Sequence, residues 1–316
     1  MKRCLLVLAI SSVFLTSCRD GTKKSPLPLP THAGAIKIKG AYALYPLVTL
    51  WVAEYQKSHP NVEFKLSAIG SGPGLQELID DHTDLAMLSS EVTAEFDSLV
   101  WTTPVARLGV VFVTSTSNPY LTQIKKQGLT RGDLSEAFTG EPGLTWGGWF
   151  GQAGKDLVHP YVRSDTSGAT DQLAKFLWVL SSELKGNGVN GEEAMVKAIA
   201  RDQFALGYCN FRYTFNPENQ QFIDGIAIIP LDVEHARKKI DSYYNSVPQL
   251  QRAMWTGKYP SILIRDLYLA TKGKPATAEV VDFLRWVLTD GQRMVAREGY
   301  IEVRTSAIRC KLESLE

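Results

Sequence analysis

Three short segments place glycine, serine or other small residues between a predicted strand and a predicted helix. They are Gly40-Ala41-Tyr42-Ala43-Leu44-Tyr45-Pro46, Gly70-Ser71-Gly72-Pro73-Gly74 and Arg163-Ser164-Asp165-Thr166-Ser167-Gly168-Ala169-Thr170. Such junctions suit an anion. The first amides of a helix have no carbonyl partner within it, and the positive end of the helix dipole lies there. Glycine lets the backbone come close to a ligand. Serine adds a hydroxyl donor, and Arg163 offers a forked, charge-assisted contact to two oxygens. Each segment alone also reads as a plain turn or an N-cap, so the weight lies in their joint occurrence.

Other chemistries find less support. The glycine-rich segment lacks the lysine of a phosphate-binding P-loop and carries Pro73 inside it. His32, His59, His82, His159 and His235 are scattered without metal-ligand spacing, so neither a metal nor a cofactor is expected. His59 and His159 each precede proline and read as loop residues. Ser182-Glu183-Leu184-Lys185 fits the Ser-x-x-Lys pattern of some serine hydrolases. A pattern with two fixed positions arises by chance about once in a chain of this length, and a solvated helix end accounts for it. No catalytic residue and no enzyme activity are expected. Lys and Arg number 34 against 33 Asp and Glu, a formal net charge of +1. That balance gives no basic excess for nucleic acid, so any anion site has to be built locally.

The elements that must position these segments follow from the hydrophobic pattern. Residues 36–40 alternate like a half-buried strand, 45–59 carry helical spacing, 62–68 read as a strand, 75–80 as a helix and 84–88 as a strand. Further strands are predicted at 108–113, 158–163, 204–208, 227–230 and 263–270, and helices at 129–138, 171–180 and 278–288. Residues 185–191 read as a glycine-rich loop. Alternating strands and helices imply an α/β fold with mostly parallel sheets and helices on both faces. In open α/β sheets, ligands bind at the carboxyl ends of strands, where all three segments fall.

The N-terminus predicts an extracytoplasmic protein. Lys2 and Arg3 precede an apolar stretch from Leu5 to Leu15 that is too short to span a membrane. It ends in Leu15-Thr16-Ser17-Cys18, which resembles the lipobox of bacterial lipoproteins. The expectation is a signal peptide at 1–17, lipidation (palmitate among the acyl chains) at Cys18 and a proline-rich, extended tether over 18–34, leaving the chain lipid-anchored at a bacterial membrane on its periplasmic or outer surface. Cys209 and Cys310 lie about a hundred residues apart, and two buried free thiols are expected rather than a disulfide.

The chain is similar to the phosphate-binding proteins of bacterial phosphate ABC importers, solute-binding proteins of the type II periplasmic-binding-protein class. The matching stretches are IKGAYALYPLVTLWVAEYQKSHPNVEFKLSAIGSGPGLQELIDDHTDLAMLSS, LTRGDLSEAFTGEPGLTW, VRSDTSGATDQLAKFLW, FALGYCNFRY and LRWVLTDGQRMVAREGYIEV, in family order between Ile36 and Val303. The resemblance implies a two-lobed fold with a hinge, closing on phosphate or a similar oxyanion, and a monomer that docks on an ABC permease. The implied ligand-binding residues are the backbone of Leu44 and Tyr45, then Ser71, Ser89, Arg163, Asp165, Ser167, Gly168 and Ala169. Three positions depart from the family pattern. Leu44 and Ala169 stand where hydroxyl residues are usual, and Ser90 stands where many relatives have arginine; Tyr42 or Thr170 is then expected to compensate. Weaker exclusion of sulfate follows, because Ser89 stands where the family often has aspartate and Asp165 remains to accept the phosphate proton. The family threads its chain twice between lobes, which implies crossings at 108–118 and 260–265. One lobe would span 35–115 with 263–316, and the other 116–262. The alternative is a lipoprotein of the same fold that serves as a sensor or assembly partner, with weakened or lost phosphate binding. Trp146 and Trp149 would form its partner patch unless they pack under the second lobe.

Overall fold

A computed structural model of the chain describes residues 34–232 and 242–316. The segments expected to be a signal peptide and a tether, up to residue 33 and including Cys18 and His32, and also His235, lie outside the described residues.

The first strand, β1 (Ile36–Gly40), alternates as its sequence predicts: Ile36 and Ile38 are buried and Lys37 is exposed. It is flanked in parallel by β2 (Phe64–Ala68) and β3 (Leu85–Leu88). The connections are α1 (Tyr45–Ser58), which buries Leu47, Val48, Trp51, Val52 and Tyr55, and α2 (Ser71–Ile79). The chain then runs into the 16-residue strand β4 (Val100–Ser115).

A second group of elements follows. It contains α3 (Leu121–Gln127), α4 (Arg131–Thr139), the short α5 (Trp146–Trp149), β5 (His159–Arg163), α6 (Gly168–Leu177), β6 (Asn187–Val189), α7 (Glu192–Arg201) and β7 (Ala205–Asn210). A small hairpin of β8 (Phe215–Asn216) and β9 (Gln221–Phe222) precedes β10 (Ile226–Ile229) and α8 (Val247–Thr256). The chain returns through β11 (Ile264–Lys272) and ends with α9 (Ala278–Leu288), α10 (Gln292–Val295) and α11 (Thr305–Ser314).

These strands form one mixed sheet in the order β2-β1-β3-β11-β4-β7-β5-β6, with β10 also on β4. The parallel pairs lie at its two ends, β2-β1-β3 and β7-β5-β6. The antiparallel β11 and β4 join them in the middle. Two cores flank this join. One gathers Ile38, Leu44, Trp51, Leu108, Leu267 and Phe283, the other Val110, Phe112, Trp146, Ala169, Tyr208 and Leu263. β4 therefore changes core at Gly109, where a β-carbon would stand 2.7 Å from Met254 Sδ.

The structure departs from the sequence pattern at particular places. β4 begins eight residues before the predicted strand at 108 (108 − 100). Pro104 and the polar Thr102, Thr103 and Arg107 obscure its alternation. The proline is accommodated because it lies opposite Tyr268, where the β11 register shifts between Leu267 and Tyr268. α2 starts at Ser71 rather than at Leu75, since proline is welcome in a first turn. The glycine-rich loop at 185–191 contains β6, an edge strand paired with β5 from Tyr161↔Asn187 to Arg163↔Val189. Helices α3, α5, α7, α8, α10 and α11 lie where no helix was predicted. Trp146 and Trp149 are buried in the second core and form no surface patch. Cys209 is buried and Cys310 is exposed, both as free thiols, so the expectation of two buried thiols fails at Cys310, on the surface helix α11. His159 opens β5 with Nδ1 2.8 Å from Asp202 Oδ2, so it is a strand residue. His59 stacks on Tyr55 at the end of α1.

Candidate functional site

In the first lobe the site begins where β1 ends. Gly40 has φ +140°, and a β-carbon there would meet Met87 O at 2.2 Å. Gly74 is equally constrained, because its β-carbon would lie 2.5 Å from Gly40 Cα. These two glycines let the first turn of α2 lie directly on the end of β1, with the Ile69 and Gly70 N–H groups donating to Gly40 O. Gly70, with φ +96°, caps the helix without a side chain. Ser71 and Gly72 then supply first-turn amides that no carbonyl of the helix reaches, and Pro73 has no N–H. The Ser71 hydroxyl accepts from the Ser89 N–H at 3.1 Å and lies 3.0 Å from Ser89 Oγ. β1, β3 and α2 thus bring Ser71 and Ser89 together at the carboxyl end of the strands.

The first loop behaves differently. The Leu44 and Tyr45 N–H groups both donate to Ala41 O at 3.2 Å. The Leu44 side chain is fully buried in the first core. Tyr42, expected to compensate for the missing hydroxyl, stands 63% exposed.

In the second lobe the candidate residues surround the start of α6. Ser167 is its N-cap, and its hydroxyl accepts from the Ala169 and Thr170 N–H groups at 3.2 and 3.4 Å. Among the described residues the Gly168 N–H has no acceptor, so it is the open amide of this turn. Ala169 turns its side chain into the second core. Thr170 Oγ1 lies 2.7 Å from the Tyr208 hydroxyl, which also accepts the Arg163 N–H. The Thr170 hydroxyl, the one expected to compensate for Ala169, is thus paired with Tyr208 within this lobe.

Arg163 is held on two sides. Nε and Nη2 donate to Asp165 Oδ1 and Oδ2 at 2.7 and 2.5 Å, and Nη1 donates to Glu192 Oε1 at 2.6 Å. These are three of its five N–H donors. Burial works to lower the Arg163 pKa, but the hydrogen bonds to Asp165 and the charge of Glu192 outweigh it and hold it above the usual value. At Asp165, burial pulls the carboxyl up, and the Arg163 fork and the Gly191 N–H pull it further down, leaving it below the ordinary range. Burial pushes the Glu192 carboxyl up against the pull of Arg163 and the Asn210 N–H.

Sequence reasoning missed Glu192, Asn210, Tyr208 and Arg265. Asn210 donates from its amide Nδ2 to Glu192 Oε1 at 2.6 Å and from its backbone to Oε2 at 3.0 Å. Arg265 Nη2 donates to Asn210 Oδ1 at 2.9 Å. A relay therefore runs Arg163–Glu192–Asn210–Arg265. These residues come from α7, β7 and β11, and no local motif marks them. A charged residue opening a helix (Glu192 after Gly191) reads as an ordinary helix start. Elsewhere, Lys185 Nζ pairs with Glu141 Oε1 at 3.1 Å on the surface, which occupies the lysine of the Ser-x-x-Lys pattern.

This arrangement has the layout of an oxyanion receptor: open helix-start amides and hydroxyls on one lobe, and on the other an open amide against Arg265 with the clamped Arg163 close by in sequence. A family model described as the PBP superfamily domain matches residues 27–291. The chain belongs to the PBP superfamily. It is 24% identical to the phosphate-binding protein PstS of Bacillus subtilis (strain 168) over 276 residues, covering 86% of this chain and 81% of that protein. It is 22% identical to PstS of Xylella fastidiosa (strain Temecula1), covering 96% and 94%. Among solved structures, it matches a putative phosphate ABC transporter substrate-binding protein with bound phosphate from Clostridium perfringens. The TM-score is 0.67 at 19% identity, over 86% of this chain and all of that one.

Proposed function

We propose that this chain is a solute-binding protein that captures phosphate, or a similar oxyanion, between its two lobes and delivers it to an ABC importer. The observation that carries the reading is the α6 start. The open Gly168 amide lies against the Arg265 guanidinium, and five residues before it Arg163 is held by Asp165 and Glu192 within the fold itself. Such preorganisation suits an anion, because the donors need no reordering on binding. The relatives named as phosphate-binding proteins favour phosphate within the oxyanion class.

In this reading Ser71, Ser89, Arg163, Ser167 and Gly168 face the anion, and Asp165 positions Arg163. The first loop joins only if the Leu44 and Tyr45 N–H groups leave Ala41 O. The Asp165 and Glu192 carboxylates already accept several inward donors each, which weakens their pull on the phosphate proton, and sulfate is expected to compete with phosphate. The lobes are residues 35–115 with 263–316 and residues 116–262, sharing β4. An anion held by both favours the closed state through its differential affinity. Among the described residues no helix is long and apolar enough to cross a membrane. Attachment to the membrane would come from lipid on Cys18, outside the cytoplasm, with the protein acting as a monomer.

Thermal unfolding with and without phosphate, sulfate, arsenate and molybdate tests the reading. Phosphate at a hundred times its dissociation constant adds about 2.7 kcal/mol of stability, and sulfate gives a smaller rise. A melting point unmoved by all four anions overturns phosphate capture and favours a sensor or assembly role.

A further inference from the structure

Arg265 differs from the arginine that the sequence pattern singles out. It is the second residue of the return strand β11, and its backbone pairs with Leu108 of β4. Three residues further along, Tyr268 pairs with Leu88, immediately before Ser89. The Arg265 main chain therefore belongs to the part of the sheet that carries the first-lobe donors. Its side chain reaches the other lobe, where Nη2 donates to Asn210 Oδ1. The guanidinium lies against the start of α6, since a β-carbon at Gly168 would stand 3.2 Å from Arg265 Nε and 3.4 Å from Cζ and Nη2. Gln172, one turn along α6, donates to Ile262 O just before β11 and fixes this approach.

Arg265 is only 8% exposed, yet Nε and Nη1 have no hydrogen-bond partner among the described residues. Burying charged donors without partners is costly, and native proteins rarely leave them so. The carboxylates that act on it at a distance are engaged elsewhere. Glu192 receives Arg163 and Asn210, and Asp171 receives the Ser181 hydroxyl. Burial lowers the Arg265 pKa to about 10, which leaves it cationic near neutrality.

We propose that Arg265 is an anion-contacting residue, donating to the bound oxyanion beside the open Gly168 amide. This rests on the phosphate-capture reading above and names a donor that reading lacks. Arg265 supplies charge and N–H groups where the side chains of Leu44 and Ala169, turned into the cores, supply no hydroxyl. Because its main chain and its guanidinium sit on opposite lobes, an anion on Arg265 also ties the lobes together.

Calorimetric titration of the full chain with inorganic phosphate tests this, using wild type, R265Q and R265K. Loss of a charged hydrogen bond predicts binding weaker by about 10- to 100-fold in R265Q. R265K, which keeps the charge without the planar Nε–H, falls between. Wild type that binds phosphate with an R265Q of equal affinity overturns this inference alone. Wild type that binds no phosphate overturns the capture reading and this inference with it. If R265Q does not fold, the arginine Nε–H resonance missing from the R265K spectrum is followed in wild type. It shifts on adding phosphate if Arg265 touches the anion, and a resonance that stays in place in a phosphate-binding wild type overturns the proposal.

Discussion

The starts of α2 and α6 share one local grammar, serine beside glycine at a strand-to-helix turn, and they use it in opposite ways. At α2 the cap is a bare Gly70, and the Ser71 hydroxyl is paired with Ser89, so the end is neutral and its amides stay open. At α6 the cap is Ser167, whose hydroxyl oxygen accepts from the helix's own amides, and positive charge comes from arginines brought in by other elements. The same motif therefore says little about how the work is divided. One end offers adaptable neutral donors, and the other offers a buried charge network whose geometry is set by folding.

That contrast is broken most sharply at Arg163. Its side chain is 8% exposed and that of Glu192 is 9% exposed. Removing one partner of a buried pair leaves the other charge uncompensated, which costs about 3–5 kcal/mol. Arg163→Met is expected to lose that much stability to urea and to abolish phosphate binding. Ser71→Ala, at the neutral end, is expected to change stability by under about 1 kcal/mol while weakening phosphate by roughly 10- to 100-fold. If Ser71→Ala unfolds the protein and Arg163→Met does not, the two ends have been assigned the wrong way round.

How much of this was legible follows from the same difference. The α2 end is local: Gly70, Ser71 and Gly74 lie within one segment, and β1 and β3 announce themselves by apolar patterning. The alternating and fully buried strands pointed to the α/β class, the glycine signals drew attention to Ser71, Ser167 and Arg163, and the two lobes came from the family resemblance. The α6 end is assembled from β5, α7, β7 and β11, so Glu192, Asn210 and Arg265 meet only through long-range pairing. No spacing rule relates residues 163, 192, 210 and 265. Side-chain direction was also hidden: a loop position reads as a ligand position whether its side chain faces the cleft or, as for Leu44 and Ala169, a core. Pro104 and the glycines at 186 and 188 disguised β4 and β6 for the reason that propensity describes isolated chains and pairing overrides it.

The direction of Ala169 gives a smaller, sharper test. The resemblance suggests that threonine at this position would restore a ligand hydroxyl. The structure places the Ala169 side chain among Phe176, Tyr208 and the rest of the second core, fully buried. Ala169→Thr then inserts two heavy atoms into a packed interior, which costs typically about 1–3 kcal/mol. The expected outcome is a lowered melting point with no gain in phosphate affinity by titration. A gain in affinity would mean that α6 presents this residue to the anion, and the division of labour between the two helix starts would have to be redrawn.

The smallest expected effect separates the two ends by proton linkage, since the Ser71–Ser89 pair does not titrate and the Arg163 clamp does. At Asp165 burial acts to raise the pKa, but the Arg163 fork and the Gly191 N–H win, so the folded value lies below the ordinary 3.8. A depressed folded value gives stability that is present above 3.8 and is lost as pH falls through the folded value. Glu192 has the opposite sign. Burial raises its folded value above 4.5, so its contribution is complete below 4.5 and fades as pH rises through the raised value. Asp165→Asn should therefore remove stability at neutral pH and progressively less in acid, so that urea unfolding at about pH 6 and about pH 2 shows the gap to wild type narrowing. Glu192→Gln should change the slope on the other side, with its pH-dependent part growing as pH rises. Ser71→Ala should run parallel to wild type throughout. A gap for Asp165→Asn that stays constant across this range would mean that the carboxylate does not hold Arg163 as an ion pair, and the second lobe would then be as neutral in its working as the first.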